Sequence, residues 1–311
     1  MNRIDRTGVR LLTVRHVTEY SYREPVGLGE HRMMFRPRES LDLRLIRTDL
    51  DISPRPASLR WLHDVFDNSV AIATFDVATA ELRFDSTVTI EHRETKLPDY
   101  VLDDRARNYP FSYSEDDRPD LAGGLTRRYA TPAVDAWAAR FVDARRDVET
   151  LPLLHAMTFA IREAFDYERR LQKGVQTPAE TLERGRGSCR DFALLMIEAV
   201  RSLGFAARFV SGYIFVPETD PDDTVGGGAT HAWLQVYLPG AGWIDFDPTN
   251  SIVGNRNLVR VAVAWDPRQV LPLWGTYVGT ASAFQRMDVA VSVVESDRHD
   301  PAEAEPVGQP E

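Results

Sequence analysis

The chain contains a single cysteine, Cys189, at the point where a glycine-punctuated stretch, residues 185–188, gives way to an apolar pattern. In that pattern, apolar residues recur at the spacing of a helix, at Phe192, Leu195, Met196, Ala199 and Val200. The spacing predicts that Cys189 lies on the first turn of a helix that buries one side. Backbone amides and the macrodipole at a helix start favour an anion, and a thiolate is an anion.

Two further residues could complete a thiol-based site. His231 follows Cys189 in the chain within Thr230-His231-Ala232-Trp233, and Asp247 comes later within Phe246-Asp247-Pro248-Thr249. Cysteine, histidine and aspartate in this order are typical of an activated thiol nucleophile, its base, and the group that orients the base. We therefore interpret Cys189, His231 and Asp247 as a candidate catalytic triad.

The hydrophobic pattern alone predicts that Asp247 lies beside His231. Two alternating segments, 231–238 and 242–247, flank the turn residues 239–241. Matching their apolar faces across this turn places Asp247 opposite Trp233, because a slip of one residue would reverse a face. Asp247 then lies diagonal to His231, about 7–8 Å away at Cα, within reach of a hydrogen bond between the side chains.

Each candidate also has a structural interpretation. A lone cysteine is most often a small buried hydrophobe, but Cys189 has glycine, serine and charged neighbours rather than aliphatic ones. Asp245 shares the face of Asp247 and is interpreted as a solvated strand carboxylate, whereas Asp191 is expected to cap the Cys189 helix. Tyr213 and Trp233 are weaker candidates for contact with a substrate.

Composition is that of an ordinary globular protein, with 43% hydrophobic and 27% charged residues in 311. The formal net charge of -10 argues against nucleic acid as a partner. A single cysteine excludes an intramolecular disulfide and a multi-cysteine zinc site. The histidines other than His231 show no metal-ligand spacing, so we expect neither a metal nor a cofactor.

The N-terminal residues are polar and charged, and no apolar run is long enough to cross a bilayer. We therefore expect no membrane association and a cytoplasmic location, where a reducing environment suits a catalytic thiol. The oligomeric state is left open by the sequence.

Four regions follow from the change of pattern along the chain. Short extended runs predict a β-rich N-terminal domain over 1–94, built as an antiparallel sandwich or open barrel. Residues 95–130 are predicted to be a linker that packs over a surface, 131–296 a catalytic core, and 297–311 a disordered acidic tail. Residues 217–229, acidic and then glycine-rich, are expected to form a loop beside the site.

Within the core the pattern changes from helices to strands. Helices are predicted over 133–144, 151–165 and 179–183 and for the segment that begins at Cys189. Strands are predicted over 206–216, 231–238, 242–247, 258–264 and 286–295.

Four stretches in this order resemble the bacterial transglutaminase-like superfamily. They are Gly185-Arg186-Gly187-Ser188-Cys189-Arg190-Asp191-Phe192-Ala193, Ala206-Ala207-Arg208-Phe209-Val210-Ser211-Gly212-Tyr213, His231-Ala232-Trp233 and Leu238-Pro239-Gly240-Ala241-Gly242-Trp243-Ile244-Asp245-Phe246-Asp247-Pro248-Thr249-Asn250. The resemblance implies an α+β fold, in which an N-terminal antiparallel β-domain precedes a papain-like transglutaminase core of helices packed on an antiparallel sheet.

The resemblance also implies roles for the triad. Cys189 is expected to be the nucleophile, His231 the general base and acid, and Asp247 the orienting group, with a thioester intermediate on the cysteine. The favoured hypothesis is hydrolysis of an amide bond in a peptide or protein. Acyl transfer to an amine, as in a transglutaminase, is the first alternative, and a peptide-binding protein without turnover is the second.

Overall fold

The computed structural model describes residues 8–95, 100–143, 147–169, 174–217 and 224–296. The predicted tail, 297–311, and residues 218–223 of the predicted loop lie outside the described residues. The fold is α+β, as predicted: an N-terminal antiparallel sheet is followed by helices packed on a second antiparallel sheet.

The elements are numbered in chain order. The strands are β1 (Val9–Met33), β2 (Leu43–Ser53), β3 (Ser58–His63), β4 (Ser69–Thr74), β5 (Ala78–Arg93), β6 (Asn108–Tyr109), β7 (Val148–Glu149), β8 (Asp166–Tyr167), β9 (Arg186–Gly187), β10 (Ala207–Ile214), β11 (His231–Leu238), β12 (Gly242–Asp247), β13 (Ile252–Val253), β14 (Leu258–Ala264), β15 (Leu273–Val278) and β16 (Phe284–Glu295). The α-helices are α1 (Asp117–Asp120), α2 (Ala122–Leu125), α3 (Pro132–Ala139), α4 (Thr150–Ala164), α5 (Pro178–Arg184) and α6 (Cys189–Ser202), and single 3₁₀ turns lie at Asp104–Ala106 and Pro267–Gln269.

Strand β1 is the central strand of the N-terminal sheet, in which the described residues form seven strands. Its first part pairs with β5 on one side and β16 on the other, and its second part pairs with β4 and β15. Buried and partly exposed side chains alternate along β5 from Leu82 to His92, as expected for a strand that buries one face. A separate cluster of buried apolar side chains lies along the second part of β1 and includes residues from β2, β4 and β5.

The last two strands correct the predicted boundary of the core. The segment predicted as a core strand at 286–295 is β16, which pairs with β1 over Leu12–Tyr22, and β15, which was not predicted, joins the same sheet. The chain therefore returns to the N-terminal sheet after completing the core. Periodicity shows that a segment is extended but not which strand it pairs with, so this return could not be read from the pattern.

In the described part of the chain, the core sheet has five strands in the order β13-β12-β11-β10-β14. Helix α6 packs on β10 and β11, while α3, α4 and α5 pack on α6. Every residue of α6 from Cys189 to Arg201 is buried except Arg190. Such a helix has partners on all sides, and it can hold its first residue in a fixed place.

The region predicted as a linker, 95–130, packs through aromatic side chains where it is described. Tyr109 stacks on Phe205 with 5.4 Å between ring centroids. The hydroxyl of Tyr113 donates to the carbonyl of Tyr237 at 2.8 Å and accepts from the amide of Ala206 at 2.9 Å. These contacts attach the segment to the core sheet at the end of β11.

Charged and polar side chains join the N-terminal sheet to the core. Arg260 of β14 donates to Asp245 of β12 at 2.8 Å and also to Asp42 in the N-terminal domain. Asn255 donates to Asp42 as well. Between β1 of the N-terminal sheet and β10 of the core sheet, the Nδ1 of His16 lies 2.9 Å from the hydroxyl of Tyr213. The two parts of the chain are therefore held together by buried polar contacts as well as by apolar ones.

Gly212 sits where β10 lies opposite His231 in the core sheet. A Cβ atom at this position would fall 2.1 Å from the carbonyl oxygen of Val259 and 2.7 Å from the ring of Trp233. We expect Gly212→Ala to lower the free energy of unfolding by about 2 kcal/mol or more, because packed strands must separate to admit the methyl group. Urea denaturation measures this.

The matched control is Gly27→Ala in β1, where the added Cβ would meet Val278 at an ordinary contact distance of 3.6 Å. This variant should remain within about 1 kcal/mol of the wild type. Equal denaturation midpoints for the two variants would contradict the close packing of β10 against Trp233.

Two buried histidines make the stability of the protein sensitive to acid. Burial lowers the pKa of His16 and of His92 from 6.5 to about 4. Below pH 6.5 the unfolded chain binds protons at these rings that the folded protein does not bind. The free energy of unfolding is therefore undiminished by these groups above pH 6.5. As the pH falls from 6.5 towards 4, it decreases by up to about 3 kcal/mol for each histidine. Urea denaturation between pH 7 and pH 4.5 measures the slope, which should be clearly shallower for His16→Gln. Equal slopes would show that His16 does not titrate in this way.

Candidate active site

His231 and Asp247 come together at the ends of two paired strands. Strands β11 and β12 pair with Leu234 opposite Phe246 and Leu238 opposite Gly242, so residues 239–241 form the turn. This is the register predicted from the apolar faces, and the prediction is confirmed. The Nε2 of His231 lies 2.8 Å from the Oδ2 of Asp247, and both side chains are fully buried.

The surroundings of His231 favour its protonated form. Burial alone would lower the pKa of the ring, but the charge and hydrogen bond of Asp247 raise it, and Cys189 raises it further, to about 10. The pKa of Asp247 is lowered: burial opposes this, whereas the charge of His231 and several hydrogen bonds favour the carboxylate. The pair therefore resembles an imidazolium held by a carboxylate.

Cys189 is the first residue of α6, as predicted, and is 7% exposed. It lies close enough to His231 to affect the pKa of the ring. Because Asp247 occupies Nε2, the ring nitrogen left for the sulfur is Nδ1, which forms no hydrogen bond of ordinary geometry with the described residues. The structure thus brings Cys189, His231 and Asp247 together.

Asp191 caps the start of α6, as predicted, and also binds a neighbouring segment. Its Oδ2 accepts from the amide and the hydroxyl of Ser188, each at 2.8 Å, while its Oδ1 accepts from the amide of Gln176 at 2.7 Å. The carboxylate is completely buried. These bonds fix the turn that carries Cys189 relative to the chain before α5.

The structure does not place Tyr213 or Trp233 where a substrate could touch them. Tyr213 is 2% exposed, and its hydroxyl is bound to His16 of the N-terminal sheet. Trp233 is 0% exposed and packs in an apolar cluster on the far side of the core sheet. The structure therefore gives no support to substrate contact by either residue. Alternation along a strand identifies a face but not what covers that face.

Trp233 nevertheless contacts the catalytic candidate His231 directly. Its ring lies nearly parallel to that of His231, with 5.9 Å between centroids. Its Nε1 donates to the Oδ1 of Asp245 at 2.7 Å. Asp245 is only 2% exposed and accepts from Arg260, so its interpretation as a solvated carboxylate is wrong.

Two residues near the site were not identified from the sequence. Tyr167 pairs with Gly187 in the short parallel bridge of β8 and β9, and its pKa is raised to about 12, first by burial and then by its electrostatic interaction with Cys189. Asn250 donates through Nδ2 to the Oδ2 of Asp247 at 2.8 Å. Tyr167 lies outside every motif, whereas Asn250 closes the Asp247 motif and could have been considered there.

Residues 224–229 of the predicted loop lie beside the site, where Val225 bonds to Asn250. Among the described residues, no three histidine, cysteine, aspartate or glutamate side chains are grouped as a metal site would require. None of the described helices has the length and apolarity needed to span a bilayer.

Comparison with known proteins agrees with this arrangement. Residues 12–91 match the family model described as the bacterial transglutaminase-like N-terminal region, and residues 136–248 match that of the transglutaminase-like superfamily. An uncharacterized protein of Mycobacterium tuberculosis is 30% identical over 305 residues, which cover 93% of this chain and 94% of the relative. One from Mycobacterium leprae is 26% identical over 292 residues, covering 91% and 98%.

A similar fold is found in the crystal structure of a candidate cysteine protease from Cytophaga hutchinsonii. The two chains share 18% identity and superpose with a TM-score of 0.67, covering 94% of this chain and 93% of the other. The matches run through both the N-terminal sheet and the core with its cysteine, histidine and aspartate. The chain therefore belongs to the transglutaminase-like superfamily, with the bacterial transglutaminase-like N-terminal region preceding its core.

Proposed function

We propose that this protein is a cysteine hydrolase that cleaves an amide bond in a peptide or protein through Cys189, His231 and Asp247. The observation that carries the proposal is the buried bond between His231 and Asp247, which leaves one ring nitrogen for the only thiol in the chain. An imidazolium beside a sulfur at a helix start favours the thiolate, which is the reactive form of cysteine.

Acylation starts when the thiolate attacks the carbonyl carbon of the substrate. A carbon–sulfur bond forms, and the carbonyl electron pair moves onto the oxygen. The amides of Asp191 and Phe192 bond to the carbonyl of Ser188, so the first-turn amides of Cys189 and Arg190 are the donors proposed for the oxyanion. The oxygen electron pair then re-forms the carbonyl as the carbon–nitrogen bond breaks, and His231 gives its proton to the leaving amine, so that a thioester remains on Cys189.

Deacylation reverses the roles of these groups. His231, now neutral, takes a proton from water as the water oxygen attacks the thioester. The carbon–sulfur bond breaks, the acid is released, and the sulfur returns as a thiolate beside an imidazolium. Throughout both steps Asp247 keeps Nε2 engaged, so that Nδ1 remains the nitrogen that exchanges protons.

The first test is the reactivity of the cysteine. With one cysteine in the chain, every thiol alkylation reports on Cys189. We expect iodoacetamide to label it stoichiometrically at pH 6, and His231→Ala to slow the reaction on the order of 100-fold, because an ordinary thiol with a pKa near 8.5 is almost entirely protonated at that pH. Intact-mass spectrometry over time gives the rates.

A matched control for this test is His155→Ala, which removes an exposed histidine on α4. This variant should react at the wild-type rate. Equal rates for the wild type and His231→Ala would contradict an ion pair between Cys189 and His231 and would favour a binding protein without turnover.

The second test asks what resolves the acyl-enzyme. The protein is incubated with a peptide mixture and a primary amine in water enriched in heavy oxygen, and the products are analysed by mass spectrometry. We expect new carboxyl groups that carry the heavy oxygen, lost in Cys189→Ser. Incorporation of the amine without hydrolysis would instead support acyl transfer. Failure to form either product or a thioester would contradict an enzymatic role.

A further inference from the structure

Residues 224–226, which we term the cover segment, reach the reacting edge of His231 at Gly226. A Cβ atom built at Gly226 would fall 2.7 Å from Nδ1 of His231 and 3.2 Å from Cε1. Gly226 also has a φ of 98°, in the region that favours glycine. The backbone of Gly226 therefore occupies the space next to the nitrogen that the proposed mechanism uses.

The next residue back along the chain is held by a two-point contact. The amide of Val225 donates to the Oδ1 of Asn250 at 2.7 Å, and the Nδ2 of Asn250 donates to the carbonyl of Val225 at 3.1 Å. The side-chain amide of Asn250 thus pairs with both main-chain groups of one residue. It does so without regard to the side chain of that residue, which is how a protein binds an extended peptide through its backbone.

Asn250 also connects this contact to the catalytic groups. The same Nδ2 donates at 2.8 Å to the Oδ2 of Asp247, the oxygen that binds His231. Val225 pairs with Asn250, and the next residue, Gly226, lies at Nδ1 of His231. A peptide residue that paired with Asn250 in the same way would therefore place its own next residue at Nδ1. With the cover segment in place, His231 is only 1% and Cys189 only 7% exposed.

We propose that Asn250 is a main-chain binding subsite for an extended peptide substrate, and that the cover segment occupies this subsite in the free protein as an internal mimic of that substrate. The inference rests on the proposed function. A substrate would displace Val225 from Asn250, pair its own N–H and C=O with the side-chain amide, and present its scissile carbonyl where Gly226 now lies.

The test compares two alkylating reagents on Cys189. A mixture of dipeptidyl chloromethyl ketones offers main-chain groups to the subsite, whereas iodoacetamide offers no extended main chain to it. Val225→Pro removes the N–H that binds Asn250 without altering any catalytic residue. We expect it to raise the ratio of the peptidyl rate to the iodoacetamide rate about 10-fold, because the internal occupant is weakened while the subsite stays intact.

Asn250→Ala provides the opposite change. It also frees the cover segment, but it removes the subsite, so the rate ratio should stay well below that of Val225→Pro. If the two variants gave the same ratio, Asn250 would be only a latch and the peptide subsite would be refuted. General destabilisation would speed both reagents alike and would leave the ratio unchanged.

Glycine variants keep the test decisive if Val225→Pro does not fold. Gly226→Ala should raise the ratio, because the ring is anchored by Asp247 and the cover segment must yield to the methyl group. Gly228→Ala is the matched control: its φ of 77° imposes similar strain, but the added Cβ would have no atom within 4 Å. Equal ratios in these two variants would overturn the proposal.

The outcomes separate this inference from the proposed function. Labelling by iodoacetamide that does not depend on His231 would defeat the proposed function itself. Labelling that depends on His231, combined with a ratio unmoved by Val225→Pro and Gly226→Ala, would defeat the subsite alone.

Discussion

The bond between Nε2 of His231 and Oδ2 of Asp247 is the interaction on which the remainder of the site depends. A buried charge is tolerated only when it is paired and hydrogen-bonded. Asp247 meets this requirement with His231, Asn250 and the amide of Thr249 as donors. The carboxylate in turn fixes the imidazole. The direction of the ring, and with it the atom offered to the sulfur, follows from this set of buried polar contacts.

The site is supported by charges that reach it from the N-terminal sheet. The ring of Trp233 stacks on that of His231, and its N–H donates to Asp245. Arg260 donates to Asp245 and also to Asp42. An isolated carboxylate at the position of Asp245 would be costly, since its side chain is almost fully buried. The N-terminal domain, through Asp42 in the turn before β2, is thus part of the structure that holds the histidine ring in place.

The alternation of apolar and polar residues was sufficient to predict the register of β11 and β12, but not which parts of the chain cover their faces. The pairing of β11 with β12 followed from alternation and a short turn, because only one register buries both apolar faces. The burial of Trp233 and Asp245 was not predicted, because the face they share is covered by other parts of the chain. The pairing of β16 with β1 joins the two ends of the described chain, and no local signal specifies such a contact.

That pairing bears on how the protein can form during synthesis. Until residues 273–295 leave the ribosome, one side of β1 has no partner along most of its length, although β5 already occupies the other side. An open strand edge is prone to pairing with other chains, and contacts between distant residues form slowly. The nascent N-terminal sheet must therefore wait for the whole core to be translated before its hydrogen bonding is complete. Interrupted translation would leave a chain with an exposed, aggregation-prone edge.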